Sequence, residues 1–321
     1  MTLVLAGCSG AQSTFDTAGV EAESVLSLFW VMLAGSTAIW LFVVGLSIYA
    51  TKANPEAHSE KAGVRLIIWG GCVFPVVTLS ALLVFGLGMM PEFRRAADGP
   101  TIAVSGERFW WRIHYEVEGE PGVVRSLPRN GVESANELVL PVGRRTELLL
   151  GSPDVIHSFW VPSIAGKTDA IPGRVNRLVL EPTREGVYNG VCAEFCGEAH
   201  AQMGLRVIVL SETDYAVRVA AEAAPAALLD HPGRALFSAN GCNACHTVRG
   251  TGDDGHKVGP DLTHLAARRT LAAGVLPMTP ENIGRFIAST DHVKPGVEMP
   301  VFDTLSEDDV ASIADWLGRL K

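Results

Sequence analysis

Two stretches of this chain contain no charged residue: Val25–Ala50, 26 residues, and Leu66–Met90, 25 residues. At ~1.5 Å of rise per residue, a helix over either run outreaches a ~30 Å hydrocarbon core. Lipid offers no partner for backbone polar groups, so each run is expected to close its own hydrogen bonds as a transmembrane helix. Gly70, Gly71 and Pro75 are expected to bend the second. Hydrophobic content of 48% and a mean hydropathy of +0.23 suit a chain that lies partly in lipid. Lys52, Lys61 and Arg65 lie between the runs, and Arg94 and Arg95 follow the second, so positive charge does not orient the pair. The net charge is −9 and no part is basic, which argues against nucleic acid as a partner. A chain of 321 residues has room for more than one domain.

The chemistry concentrates in Val191–Met203, Val-Cys-Ala-Glu-Phe-Cys-Gly-Glu-Ala-His-Ala-Gln-Met. Thiolates and a thioether are soft ligands, and imidazole suits copper. Cys192 and Cys196 on one tight loop can both turn inward and bridge two metal ions, with His200 and Met203 capping from the same loop. A further ligand must come from elsewhere, and His157 in Asp154-Val-Ile-His-Ser-Phe-Trp-Val-Pro162 is the candidate. Other readings stand beside this one. The two cysteines could form a structural disulfide in an exported protein, the two Cys and two His could hold zinc tetrahedrally, and His157 could be an ordinary buried histidine.

Both segments, extended through Pro162-Ser-Ile-Ala-Gly-Lys-Thr-Asp-Ala-Ile-Pro-Gly-Arg174, resemble the copper A site of subunit II of the haem-copper cytochrome c oxidases. The resemblance implies that Cys192 and Cys196 bridge two copper ions. His157 and His200 would ligate one each, Met203 weakly, and Glu194 through its backbone carbonyl. It further implies that the Glu194 side chain binds Mg2+ at the boundary with subunit I, and that Lys167, Asp169 and Arg174 face subunit I. Relatives carry an aromatic cluster where electrons enter. Here it reads Phe109-Trp110-Trp111, with Phe109 in place of the usual first Trp; at least one of these rings is expected in the core. The family's glutamate near the start of the second helix is replaced by Leu66, with Glu60 nearby, which puts a proton-entry role for that helix in doubt.

Short runs that alternate apolar with polar residues fill 101–210: Ile102–Ser105, Trp111–Val117, Glu137–Leu140, Glu147–Leu150, Arg177–Leu180 and Leu205–Leu210. They predict a β-sandwich, which the resemblance makes cupredoxin-like. Ser211-Glu-Thr-Asp214 reads as a helix N-cap, with a short helix over 215–224 and a linker at Pro225.

Cys242-Asn-Ala-Cys245-His246 is the attachment signature of a c-type haem. The cysteines add to the haem vinyls and His246 is placed on the iron. Methionine as the other axial ligand raises the potential, and Met299, in the stiff segment Lys294-Pro-Gly-Val-Glu-Met-Pro300, is preferred to Met278. His256, His264 and His292 are alternatives, expected instead at the surface. Gly259-Pro260 resembles the segment that lies against the proximal histidine in cytochromes c. A helix over 231–240 leads into the motif, and Ser306 caps a last helix with Val310, Ile313, Ala314 and Leu317 on one face.

The expected architecture is therefore multidomain. An N-terminal segment spans 1–22, a two-helix transmembrane hairpin 23–92, a cupredoxin-like copper A domain 93–222, a linker 223–230, and an all-α class I cytochrome c domain 231–321. Leu5-Ala-Gly-Cys8 resembles a bacterial lipobox, with Cys8 as the lipidated residue, although no basic segment precedes it.

The implied function is electron input to a terminal oxidase. Electrons would pass from a donor such as a cytochrome c or a bc1-type complex, through haem c and copper A, to subunit I, with subunit III as a further partner. Both soluble domains would lie on the periplasmic side of a bacterial inner membrane, in contact with lipid. Oxygen reduction and proton pumping would belong to subunit I. A subunit of a copper A nitric oxide reductase and a stand-alone membrane-anchored electron carrier are the alternatives.

Overall fold

The computed structural model describes residues 8–52, 59–93, 95–117, 126–227, 230–252 and 257–321. Leu5–Gly7, Arg94 and His256 lie outside the described residues. The chain divides into two units, Glu23–Ala96 and the remainder.

The first unit holds two apolar helices, each long enough to cross a membrane. Helix α1 spans Val20–Lys52. The second helix is composite: α2 (Glu60–Leu66), a π-helical stretch over Ile67–Val73, and α3 (Phe74–Phe93). The wide turn falls at Gly70-Gly71 and just ahead of Pro75, where a missing N–H and small side chains loosen the helical ladder. Large apolar side chains point outward along both helices: Trp40 is 63% exposed and Val84 71%. In lipid such a surface is satisfied rather than costly.

The second unit begins with a β-sandwich of two five-stranded sheets. Its strands are β1 (Thr101–Glu107), β2 (Trp110–Tyr115), β3 (Val132–Ala135), β4 (Glu137–Pro141), β5 (Thr146–Gly151), β6 (His157–Trp160), β7 (Thr168–Ala170), β8 (Asn176–Leu180), β9 (Gly186–Cys192) and β10 (Gly204–Leu210). One sheet runs β3-β2-β1-β5-β8 and the other β4-β10-β9-β6-β7. Central β5 is apolar on both faces, whereas β10 alternates, with Leu205, Val207 and Val209 inward. Trp111 and Phe159 meet edge to face between the sheets, centroids 5.7 Å apart, in one continuous core.

Residues 9–22 pack along the sandwich. Ala18 is fully buried and exchanges backbone hydrogen bonds with Ser163 and Thr183, and Asp16 pairs with Arg184 at 2.6 Å.

Helix α4 (Glu212–Ala223), capped by Ser211, closes the sandwich. The last 90 or so residues of the chain are helical apart from one short hairpin. They form α5 (Pro232–Ala239), β11 (Thr270–Leu271), β12 (Leu276–Pro277), α6 (Pro280–Ala288), α7 (Thr290–Val293) and α8 (Glu307–Leu317). Phe237 of α5 and Trp316 of α8 stack edge to face at 5.3 Å. The hairpin β11–β12 is the one departure from the expected all-helical module. Four strands of the sandwich also went unread in the sequence: β3, β6, β7 and β9. Strand β6 is short, and β9 (Gly-Val-Tyr-Asn-Gly-Val-Cys) carries glycine and asparagine, which read as turn punctuation.

Candidate metal centres

The ends of β6 and β9 and the loop 193–203 make the first centre. Phe159 of β6 pairs with Cys192 at the end of β9, which brings His157 alongside the cysteine loop. His157 Nδ1 stands 3.8 Å from Cys192 Sγ, and the two sulfurs are 3.8 Å apart. From Cys196 Sγ it is 3.6 Å to His200 Nδ1 and 3.9 Å to Met203 Sδ. The Glu194 carbonyl oxygen lies 3.2 Å from Cys192 Sγ. Ligand atoms of His157, Cys192 and Cys196 lie within 4.8 Å of one another. All six cysteines are free thiols. The donor set therefore fits a soft-metal pair. Two sulfurs sit at the centre with nitrogen donors outside them, and a thioether and a carbonyl exceed what tetrahedral zinc uses.

Asp154, which the sequence reading quoted but gave no role, orients His157. Its Oδ1 is 2.8 Å from His157 Nε2, which leaves Nδ1 for the sulfur side. Such a carboxylate partner fixes ring and tautomer. Burial lowers the imidazole's proton affinity, but the Asp154 carboxylate outweighs it, so His157 is raised above its ordinary value. Burial also pushes both thiols up. His157 and nearby backbone N–H groups draw Cys192 down to about 7, while Cys196, beside it, rises to about 12.

The aromatic stretch divides. Trp111 is fully buried in the core, edge-on to His157 at 6.1 Å, and Phe109 is 2% exposed. Trp110 is half-buried under the Arg112 guanidinium, 4.5 Å from its ring centroid. The stretch is thus not an open patch. Glu194 is exposed beside Phe195, itself 75% exposed. Lys167 and Asp169 form an exposed pair at 3.8 Å, Asp169 opposite Ser158 in the strand next to His157. Arg174 is exposed.

The second centre is the Cys242–His246 turn, closed by hydrogen bonds from the amides of Cys245 and His246 to the Cys242 carbonyl at 3.2 and 3.0 Å. His246 Nδ1 lies 2.8 Å from the Pro260 carbonyl oxygen, so Nε2 is left to face an iron. Gly259 makes this possible: a methyl group there would stand 2.6 Å from His246 Cε1. Both cysteines are half-buried, open to addition. These residues fit a covalently held haem. Met299 and Met278 both pack, partly buried, against the helical core. His264, expected at the surface, is 7% exposed and bonds the Ala224 carbonyl at 2.9 Å, tying the linker down. His292 is exposed and Cys8 is exposed.

Comparison with known proteins agrees with this division. The family described as cytochrome C oxidase subunit II, periplasmic domain, matches residues 102–211, and the cytochrome c family matches 231–321. Cytochrome c oxidase subunit 2 of Alkalihalophilus pseudofirmus is 31% identical over 340 residues, covering 100% of this chain and 95% of its own length. Its counterpart in Bacillus subtilis is 28% identical over 266 residues, with 78% and 70% covered. The crystal structure of the periplasmic domain of subunit II from Bradyrhizobium japonicum is 28% identical, with a TM-score of 0.34, and covers 40% of this chain and 95% of that one. A full-length relative, a sandwich with a copper-type donor cluster and a cytochrome module in one chain lead to one assignment: the protein belongs to the cytochrome c oxidase subunit 2 family, in the form that carries a C-terminal cytochrome c domain.

Proposed function

We propose that this subunit is the electron inlet of a terminal oxidase, with two redox stations held by its own side chains. Cys192, Cys196, His157, His200, Met203 and the Glu194 carbonyl would together hold a pair of copper ions. Cys242 and Cys245 would anchor haem c, with His246 and Met299 on its iron. Bound there, the two centres would supply one-electron chemistry between an external donor and subunit I, where oxygen is reduced to water with proton pumping.

The chain's own part is to hold and to shield. Soft ligands fixed by a rigid sandwich need little rearrangement when charge changes, because strands β6 and β9 and the Asp154 bond set their positions. Burial of His157, Cys192, Cys196 and Met203, none above 6% exposed, keeps water from the centre. The exposed edge made by Glu194, Phe195, Lys167, Asp169 and Arg174 suits contact with subunit I, and Glu194 is free there to share a Mg2+ ion. The apolar helices would anchor the chain in the bacterial inner membrane, both soluble domains lying on the periplasmic side. Cys8, which is exposed, would carry a lipid. We further assign the domain limits as 23–92 for the helices, 93–222 for the copper domain and 231–321 for the cytochrome.

The observation that carries this reading is the convergence of His157, Cys192, Cys196, His200 and Met203 in one cluster. Metal analysis with EPR and absorption spectra of the purified chain tests it. A mixed-valence copper pair and low-spin haem c, at two copper per haem, are expected; zinc or a single isolated copper refutes it. In Cys196→Ser, haem c should still be reduced while oxygen uptake stops.

A further inference from the structure

The copper loop is flanked on both sides by contacts from the cytochrome module, and one buried lysine ties them together. Lys294, five residues before Met299, is 2% exposed. Its ammonium donates to the Phe109 carbonyl of the copper domain at 2.7 Å and to the Ala272 carbonyl at 2.8 Å. Ala272 and the next residue, Ala273, turn the hairpin β11–β12 with φ of 55° and 60°. Left-handed backbone is costly for a non-glycine residue and persists where surroundings impose it. Here it aims two consecutive carbonyls. Ala272 faces Lys294, and Ala273 accepts from the amide of Gly204, the residue after Met203, at 2.9 Å.

Around this pin the fit is close. The Phe109 ring lies between two glycines, one from each module. A methyl group on Gly197 would stand 3.0 Å from Phe109 Cε1 and Cζ, and one on Gly296 would stand 3.5 Å from Cε2. Gln202 donates to the Val293 carbonyl at 3.3 Å, and Val297 packs on the sandwich core. The copper domain returns the grip on the proximal side of the haem site. Arg112, buried between Glu107 and Glu133, donates to the carbonyls of Lys257 and Val258 at 2.9 and 3.1 Å, just ahead of Gly259-Pro260. Burying the Lys294 amine against neutral carbonyls is costly for a fold element, so its place at the junction of two modules calls for a role there; Arg112, its charge met by Glu107 and Glu133, spends its remaining N–H groups on the other module.

We propose that Lys294, seconded by Arg112, is a positioning residue that locks the cytochrome module onto the copper loop, so that electron transfer between the two centres does not wait on a docking motion. The proposal rests on the two-station reading above. A cytochrome on a loose linker would make transfer depend on diffusional encounter, and therefore on solvent viscosity; a pinned one would not.

The test is Lys294→Met in the full chain purified in detergent, compared with wild type in two measurements. The first is amide hydrogen exchange without any redox event. Segments 200–206 and 270–276 should exchange at least tenfold faster in the variant, while 146–151 in the sandwich interior is unchanged. The second is reduction of the haem by a light-activated ruthenium complex, followed by appearance of the electron on copper. The wild-type rate should not vary with glycerol, whereas the variant's should fall at least tenfold and slow further as viscosity rises. Exchange within twofold of wild type overturns the proposal. So does faster exchange with an unchanged, viscosity-independent rate, since the lysine would then be structural only. If Lys294→Met loses its haem or copper signal, Gly296→Val decides by the same criteria. It forces a branched side chain onto a backbone with φ of 74° and crowds the Glu198 side chain, 3.1 Å from the new methyl position, so it loosens the junction without unburying a charge. The exchange result stands even if Cys196→Ser shows the electron path itself to be misassigned.

Discussion

Gly106 offers a severe trial of the copper assignment, because a substitution there perturbs the site without removing any of the proposed ligand residues. It lies on β1, in the sheet facing the one that carries His157. A methyl group there would sit 2.8 Å from His157 Cβ and Cγ and 2.9 Å from Cδ2. Carbon atoms rest at roughly 3.5–4.0 Å, so Gly106→Ala must push the fully buried ring by several tenths of an ångström. That movement strains the 2.8 Å bond to Asp154. Overpacking of this kind costs ~1–3 kcal/mol, and disturbing the carboxylate that orients a metal-bound histidine costs ~10–100-fold in affinity. The assay is a copper titration against a competing chelator, beside a denaturation curve of the metal-free chain. Gly166→Ala is the control, since nothing lies within 4 Å of its new methyl group. Copper affinity in Gly106→Ala equal to that of Gly166→Ala would show that His157 does not ligate where the structure aims it.

Further outcomes follow from other parts of the site. Asp154→Asn should keep copper binding but weaken it ~10-fold or more, read by the same competition assay, because the amide no longer fixes the His157 ring. Gly259→Ala should disturb the proximal histidine, 2.6 Å from the added methyl, and convert the haem spectrum toward high spin. Met299→Leu should remove the methionine–iron charge-transfer band and lower the haem potential, whereas Met278→Leu should change neither. Glu133 sets an acid limit. Burial raises its proton affinity, but the His114 imidazole 3.5 Å away and the Arg112 guanidinium outweigh this and bring it from 4.5 to about 2. Its folded value lies below its unfolded one, so its stabilisation is present above pH ~4.5 and lost as pH falls toward ~2. Denaturation midpoints of Glu133→Gln should therefore fall less steeply than wild type across that window.

Much of the site was legible because its chemistry is local in sequence. Cysteine, histidine and methionine spacing in 192–203 and in 242–246 marks candidate ligands whatever surrounds them. The uncharged runs marked the two helices long and apolar enough to cross a membrane, since length and composition alone decide whether a segment can do so. The strands carrying His157 and Cys192 escaped notice. One is too short for periodicity, and the other is written in glycine and asparagine and held by its neighbours rather than by its own propensity.

What the sequence determined by itself was thus the kinds of module, their order and most of the candidate metal-binding groups. What only the tertiary structure decided was how two of those modules meet. Lys294 and Arg112 carried no role in the sequence, because nothing in a one-dimensional string tells which carbonyls a long side chain will find. Ala272 and Ala273 carry no turn signature, and the expectation that at least one ring of 109–111 is core did not say that Phe109 would be covered. Each acquires its role from residues far away along the chain, and contacts of that kind exist only after folding.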